Sequence, residues 1–157
     1  MAGPVGFALA VSVVDRLAAM PQTVRELVSG RSGAELSHKP APEVFSLREN
    51  VLHLRDIDVE GYEQRVVRVL SEEHPFLPDV DGARLAKERD YNAQPLTPAL
   101  EAFAASRARS IARLRGASER DLERTAEMEG VGRVTLRELL QRWLEHDAGH
   151  VAEMEAL

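Results

Sequence analysis

The chain has 157 residues, enough for one domain with a substantial core, and residues 1–157 read as a single unit without repeats. Its net charge of −6 argues against nucleic acid or an anionic membrane as the main partner. The absence of cysteine excludes disulfides, thiolate metal ligands and a cysteine nucleophile, and fits a cytoplasmic protein.

The apolar run at 5–14 has no Lys or Arg before it, and Asp15-Arg16 follows where a signal peptide needs small residues. The run is also too short to span a bilayer. A 3.6-residue stripe at positions 7, 10, 14, 17, 20, 24, 27 and 28 predicts a first helix over 5–28, kinked or restarted at Pro21. Gly30 to Gly33 ends it, and prolines 40 and 42 mark an extended linker. Ser46-Leu47-Arg48-Glu49 is a capping box that opens a second helix to about residue 72, with His53 beside its buried stripe.

Residues 74–94 form a long connection with a short helix near 83–90, suited to walling one end of a bundle. Thr97-Pro98 reads as an N-cap and first helical position, opening a third helix through Leu100, Phe103, Ala104, Arg107, Ile111 and Leu114 to Gly116. Arg107, Arg109, Arg113 and Arg115 fall on more than one face and read as solvated charge. After a short capped helix at 118–124, residues 127–134 look extended or hairpin-like, too short to found a sheet. Thr135-Leu136-Arg137-Glu138 is a second capping box, launching the last helix. Four long amphipathic helices predict an all-α, up-down four-helix bundle, with a long connection between helices 2 and 3 and a short extended segment before helix 4.

The chemistry concentrates in that last helix. His146 and His150 are four apart and share a face with Leu139, Trp143 and Leu157. Three readings compete. Two histidines near a helix C-terminus complement its dipole. His-Asp-Ala-Gly-His differs from the zinc-protease pattern by Asp147 for Glu, but Asp147 is a methylene short and no downstream ligand follows. In the third reading His53 supplies the missing ligand, giving three neutral nitrogens and open positions for water or substrate. A di-iron carboxylate bundle lacks its glutamates: helix 3 offers only Glu101. Glu49 and Asp56, one turn either side of His53, and Glu153, one turn past His150, are positioned to accept a ring N–H. Trp143 and Tyr91 are candidate pocket residues. His38 and His74 neighbour prolines in connecting segments and read as surface histidines, His74 near the mouth of the site.

From Leu36 to Ala156 the sequence resembles the DinB-like (DNA-damage-inducible) superfamily of metal-dependent enzymes. The resemblance rests on Ser46 to Asp56, Pro75-Phe76-Leu77-Pro78, Tyr91-Asn92-Ala93-Gln94-Pro95, and Gly132 to Leu140 running into His146-Asp147-x-x-His150. It implies a four-helix bundle, often a homodimer, with His53, His146 and His150 as ligands of one divalent ion (zinc, nickel, iron or manganese). It also implies a thiol co-substrate in some members, whose reactions include thiol-dependent transfer and isomerisation. The resulting expectation is a metal-dependent transferase or hydrolase acting on a small molecule. The alternative is a non-catalytic metal-binding or stress-response bundle.

Overall fold

The structure, a computed structural model, describes residues 4–157. Helix α1 (Pro4–Val28) runs unbroken through Pro21, so the helix does not restart there. A proline lacks the N–H that would bond the carbonyl four residues back, here that of Leu17. Arg107 Nη1, from another helix, donates to that carbonyl at 2.8 Å instead. Gly6–Val28 is long and apolar enough to cross a membrane by length and mean hydropathy (1.2), a longer stretch than the run at 5–14. Its inward residues Ala10, Val14, Leu17, Val24 and Val28 are buried where α1 packs on the third and fourth long helices.

Ser32 caps the short α2 (Gly33–Ser37). Ser46 opens α3 (Leu47–Asp56) through the expected capping box: its Oγ accepts from Glu49 N, and Glu49 Oε1 accepts from Ser46 N, both at 3.0 Å. Helical structure continues to Ser71, as the stripe predicts, but through a π-helical segment, Ile57–Tyr62, before α4 (Glu63–Ser71). The wider turn lets consecutive residues Ile57 and Asp58 both face inward.

The long connection carries a short strand β1 (Phe76–Leu77), α5 (Gly82–Glu88) and a 3₁₀ turn at Tyr91–Ala93. Helix α6 (Leu96–Arg115) has Pro95 at its N-cap, placing Thr97-Pro98 inside the first turn, not at its boundary. A 3₁₀ turn (Arg120–Glu123) leads into β2 (Thr125–Met128) and β3 (Gly132–Thr135). These form an antiparallel hairpin whose tight turn uses Gly130 at φ 75°. The hairpin does found a small sheet, because Phe76 and Leu77 add a parallel third strand along β2. Thr135 Oγ1 then accepts from Glu138 N and opens α7 (Leu136–Glu155).

The four long helical units are α1, α3 through α4, α6 and α7. The first and second units stand diagonally, as do the third and fourth: α1 packs against α6 and α7, while α3 packs against the same two from the other side. The extended segments between them make such crossings possible. Two apolar clusters fill the bundle, one around Leu17, Val66, Leu139 and Trp143, the other around Val51, Leu52, Leu54 and Phe103. Between them runs a polar layer holding His53, Asp58, Arg107 and Asp147, all at most 8% exposed.

Candidate metal centre

Helix α3 contributes His53 and α7 contributes His146 and His150, which the four-residue spacing stacks on one face. One nitrogen from each ring lies within 4.8 Å of the others. Ring centroids are 5.3 Å apart for His53 and His146, 4.4 Å for His53 and His150, and 4.6 Å for His146 and His150. His53 is buried, whereas the side chains of His146 and His150 are 27% and 15% exposed, so the cluster opens to solvent on the α7 side.

Electrostatics favour the neutral form of His53 and His150. Burial, reinforced by His150 and His146, lowers the His53 pKa to about 3, against a weaker opposing pull from Asp56. Burial and His146 lower His150 to about 4, with Asp147 opposing. Neutral imidazoles offer lone pairs, the form a metal requires.

The fit to one divalent ion is close. His53 Nε2 and His146 Nε2 are 3.2 Å apart, near the separation of about 3.4 Å kept by two nitrogens bonded tetrahedrally to one ion at about 2.1 Å. His53 Nδ1 and His146 Nδ1 are buried without a hydrogen-bond partner. His150 Nδ1 lies 2.8 Å from Asn50 Oδ1. Among the described residues, no fourth His, Asp or Glu joins the three.

The connection walls this site at His53. A Cβ placed on Gly82, the first residue of α5, would lie 2.4 Å from His53 Cε1 and 2.7 Å from His53 Nδ1. Real side chains do not approach so closely, so the ring's position requires glycine there. Phe45 flanks His53 at 5.4 Å between ring centroids.

Several residues singled out from the sequence lie elsewhere. Glu49 serves the capping box and accepts from Lys39 Nζ at 2.7 Å, not from a ring N–H. Asp56 accepts from Tyr91 Oη, Arg55 Nε and Arg89 Nη1. Tyr91 is therefore a fully buried packing residue, and its hydroxyl does not reach the mouth of the site. Trp143 is fully buried, stacked on Tyr62 at 4.9 Å, and donates to Asp58 Oδ1 at 3.1 Å, so it supports the layer beneath the site. Glu153 is within reach: Oε2 lies 3.3 Å from His150 Nδ1, on a side chain 57% exposed. His74 is half-exposed and pairs with Thr125 beside the sheet.

Arg107 corrects the reading of a solvated basic run, being only 1% exposed. Its guanidinium donates to Asp58 (2.7 and 3.1 Å) and to Leu17 O, and its Nη1 lies 2.8 Å from Asp147 Oδ2. It stacks between Phe103 and Trp143, 4.9 and 4.5 Å from their ring centres. Burial pushes the Asp58 carboxyl up to about 6 against the pull of Arg107, with Asp147 adding to the push. A signal existed in the sequence: Arg107 lies four residues from Phe103 and from Ile111, on the apolar stripe. Asn50 and Gly82 carried none that singled them out.

A helical bundle with three converging histidines, one from its second long unit and two from its last, defines the class. The chain belongs to the DinB superfamily, whose family model matches residues 16–154. None of the curated proteins searched matches it. The structure is similar to that of YfiT from Bacillus subtilis, described as "a probable metal-dependent hydrolase with an unusual four-helix bundle topology". The match has a TM-score of 0.86 and 19% identity, over 94% of this chain and 84% of that one. At this identity the likeness is one of fold.

Proposed function

We propose that the protein is a metal-dependent enzyme of hydrolase or thiol-transferase type. In this reading His53, His146 and His150 hold one divalent ion, and a small electrophilic substrate enters from the α7 side. The observation carrying it is the convergence of three imidazoles within 4.8 Å, without a fourth protein ligand among the described residues. Structural zinc sites are closed by four protein ligands, whereas catalytic sites keep a position open, which favours enzyme over a purely structural site. YfiT's description as a hydrolase supports the same direction.

When bound, the ion supplies Lewis acidity that lowers the pKa of a coordinated water to about 7, or holds a low-molecular-weight thiol as thiolate. The chain's own part is to disfavour protonation of His53 and His150, to fix His53 between Phe45 and Gly82, and to leave His146 and His150 facing solvent. Having no cysteine, the protein takes any sulfur nucleophile as a co-substrate.

The test is metal analysis of protein prepared without chelators, followed by assay of the zinc, nickel, iron and manganese forms. Small esters, amides and alkyl electrophiles serve as substrates, with and without added thiol. Stoichiometric metal and turnover, both lost in His53→Ala, support the proposal. Stoichiometric metal without turnover on any of these substrates would instead favour the structural site.

A further inference from the structure

For an imidazole to serve an ion through Nε2 it must carry its ring proton on Nδ1, and an acceptor placed at Nδ1 fixes that tautomer. Asn50, fully buried on α3, is the group that does this for His150. Its Oδ1 lies 2.8 Å from His150 Nδ1, while its Nδ2 donates to the Ser46 carbonyl at 3.0 Å. That second bond fixes the amide's orientation. Rotating it by half a turn would set Oδ1 against the Ser46 carbonyl oxygen, two acceptors face to face with no proton between them. Oδ1 therefore faces His150 and can only accept, so His150 Nδ1 must donate. The lone pair is then left on Nε2, in a ring whose centroid lies 4.4 and 4.6 Å from those of His53 and His146.

The anchoring is rigid at each step. Ser46, also fully buried, is the N-cap of α3, and its carbonyl accepts from Asn50 N at 3.0 Å as well as from the side chain. Asn50 lies one turn before His53, so one helix provides one of the three rings and orients another across the gap to α7. The other group near His150 Nδ1, Glu153, is more distant and mostly solvated, and a solvated carboxylate holds a geometry weakly.

We infer that Asn50 is a positioning residue of this centre, setting the tautomer and aim of His150 so that Nε2 is presented to a divalent cation. The inference rests on the reading of the three histidines as metal ligands, but its first test does not need the metal. Long-range nitrogen–proton NMR of the metal-free full chain reports which nitrogen of His150 is protonated. A protonated Nδ1 with a bare Nε2 is the expected result; a protonated Nε2 overturns the inference, whatever the protein binds.

Zinc titration of variants is the second test. Removal of a group that orients a metal-bound histidine typically weakens binding by about 10–100-fold, so Asn50→Leu should lose affinity in that range. Asn50→Asp, which keeps the acceptor, should recover most of it. Glu153→Gln should stay within about twofold of wild type, since that carboxylate is solvated. Asn50→Leu binding zinc as wild type does, or Asn50→Asp weakened as much as Asn50→Leu, would contradict the role. Should Asn50→Leu fail to fold, the wild-type tautomer and the Asn50→Asp titration still decide the matter. Wild-type protein that binds no metal, yet shows the expected tautomer, would defeat the proposed function while leaving the Asn50–His150 assignment intact.

Discussion

Helix α7 carries two buried polar clusters that begin at adjacent residues, His146 and Asp147, and they follow opposite rules. Around Asp147 charge meets charge. Arg107 is surrounded by Asp58, Asp147 and the Leu17 carbonyl, ties three long helical units to α1, and fills its own coordination. Around His146 the groups are alike and incompletely satisfied, with Nδ1 of both His53 and His146 lacking a partner. The first cluster is charge-compensated from within, Asp147 Oδ2 meeting Arg107 Nη1 at 2.8 Å as an ion pair although it accepts no hydrogen bond. The second gathers lone pairs that repel one another unless a proton or a cation lies between them. A cavity of about 600 Å³ between α1 and α6 adjoins Arg107 on the first side and not the histidines. A cavity therefore does not mark the chemistry here; converging imidazole nitrogens do.

The comparison breaks most sharply at its two centres. His53→Ala removes a ring that the other two cannot replace, and zinc affinity should fall by more than about 100-fold, beyond the loss typical of a merely orienting residue. A competition titration against a chelator of known affinity measures this, and the variant should stay folded. Arg107→Met should do the reverse. It leaves two buried carboxylates uncompensated and should cost about 3–5 kcal/mol of stability, read by urea denaturation. Replacing Arg107, Asp58 and Asp147 together by apolar residues of similar volume should recover most of that loss. A triple variant no more stable than Arg107→Met would show that the cluster does more than neutralise itself.

Smaller effects sharpen the contrast. Gly82→Ala pushes on the His53 ring, so zinc binding should weaken by about tenfold, the scale of a disturbed ligand orientation. Circular dichroism should show little change in helix content, and unchanged affinity would mean that α5 yields instead. Acid acts on both clusters with opposite signs. The folded-state values of His53 and His150, about 3 and 4, lie below the ordinary 6.5. The unfolded chain therefore takes up protons first, and metal-free stability falls as pH drops from 6.5 towards 3. Asp58, raised to about 6, works the other way between pH 6 and its ordinary 3.8. Two groups outweigh one, so urea midpoints of the metal-free protein should decline from pH 6.5 to pH 4, and Asp58→Asn should steepen the decline.

The histidine cluster was more legible in the sequence than the polar layer supporting it. Spacing four on a helix dictates that His146 and His150 share a face, and a capping box fixes where α3 starts, so His53's position along the bundle follows. The π-helical turn at Ile57–Tyr62 was hidden, because the apolar stripe on either side of it stays in phase with the core. Arg107 was misread because an arginine among arginines resembles surface charge, although its phase matched Phe103 and Ile111. The bond from Arg107 to Leu17 explains the unbroken helix at Pro21, and it joins residues 90 positions apart. No local pattern encodes such a contact. The same holds for β1, two residues long, which exists only because β2 arrives beside it. Gly82 and Asn50 matter through what they touch across the bundle, and single-sequence patterns do not report that.

The most direct measurement is the zinc X-ray absorption spectrum of the wild-type chain loaded with one equivalent of zinc. The expected spectrum shows a four-coordinate ion with three imidazoles and one non-imidazole oxygen donor, losing one imidazole in His53→Ala. Failure to retain zinc at one equivalent, or a spectrum with fewer than three imidazoles, would contradict the metal centre and the function built on it.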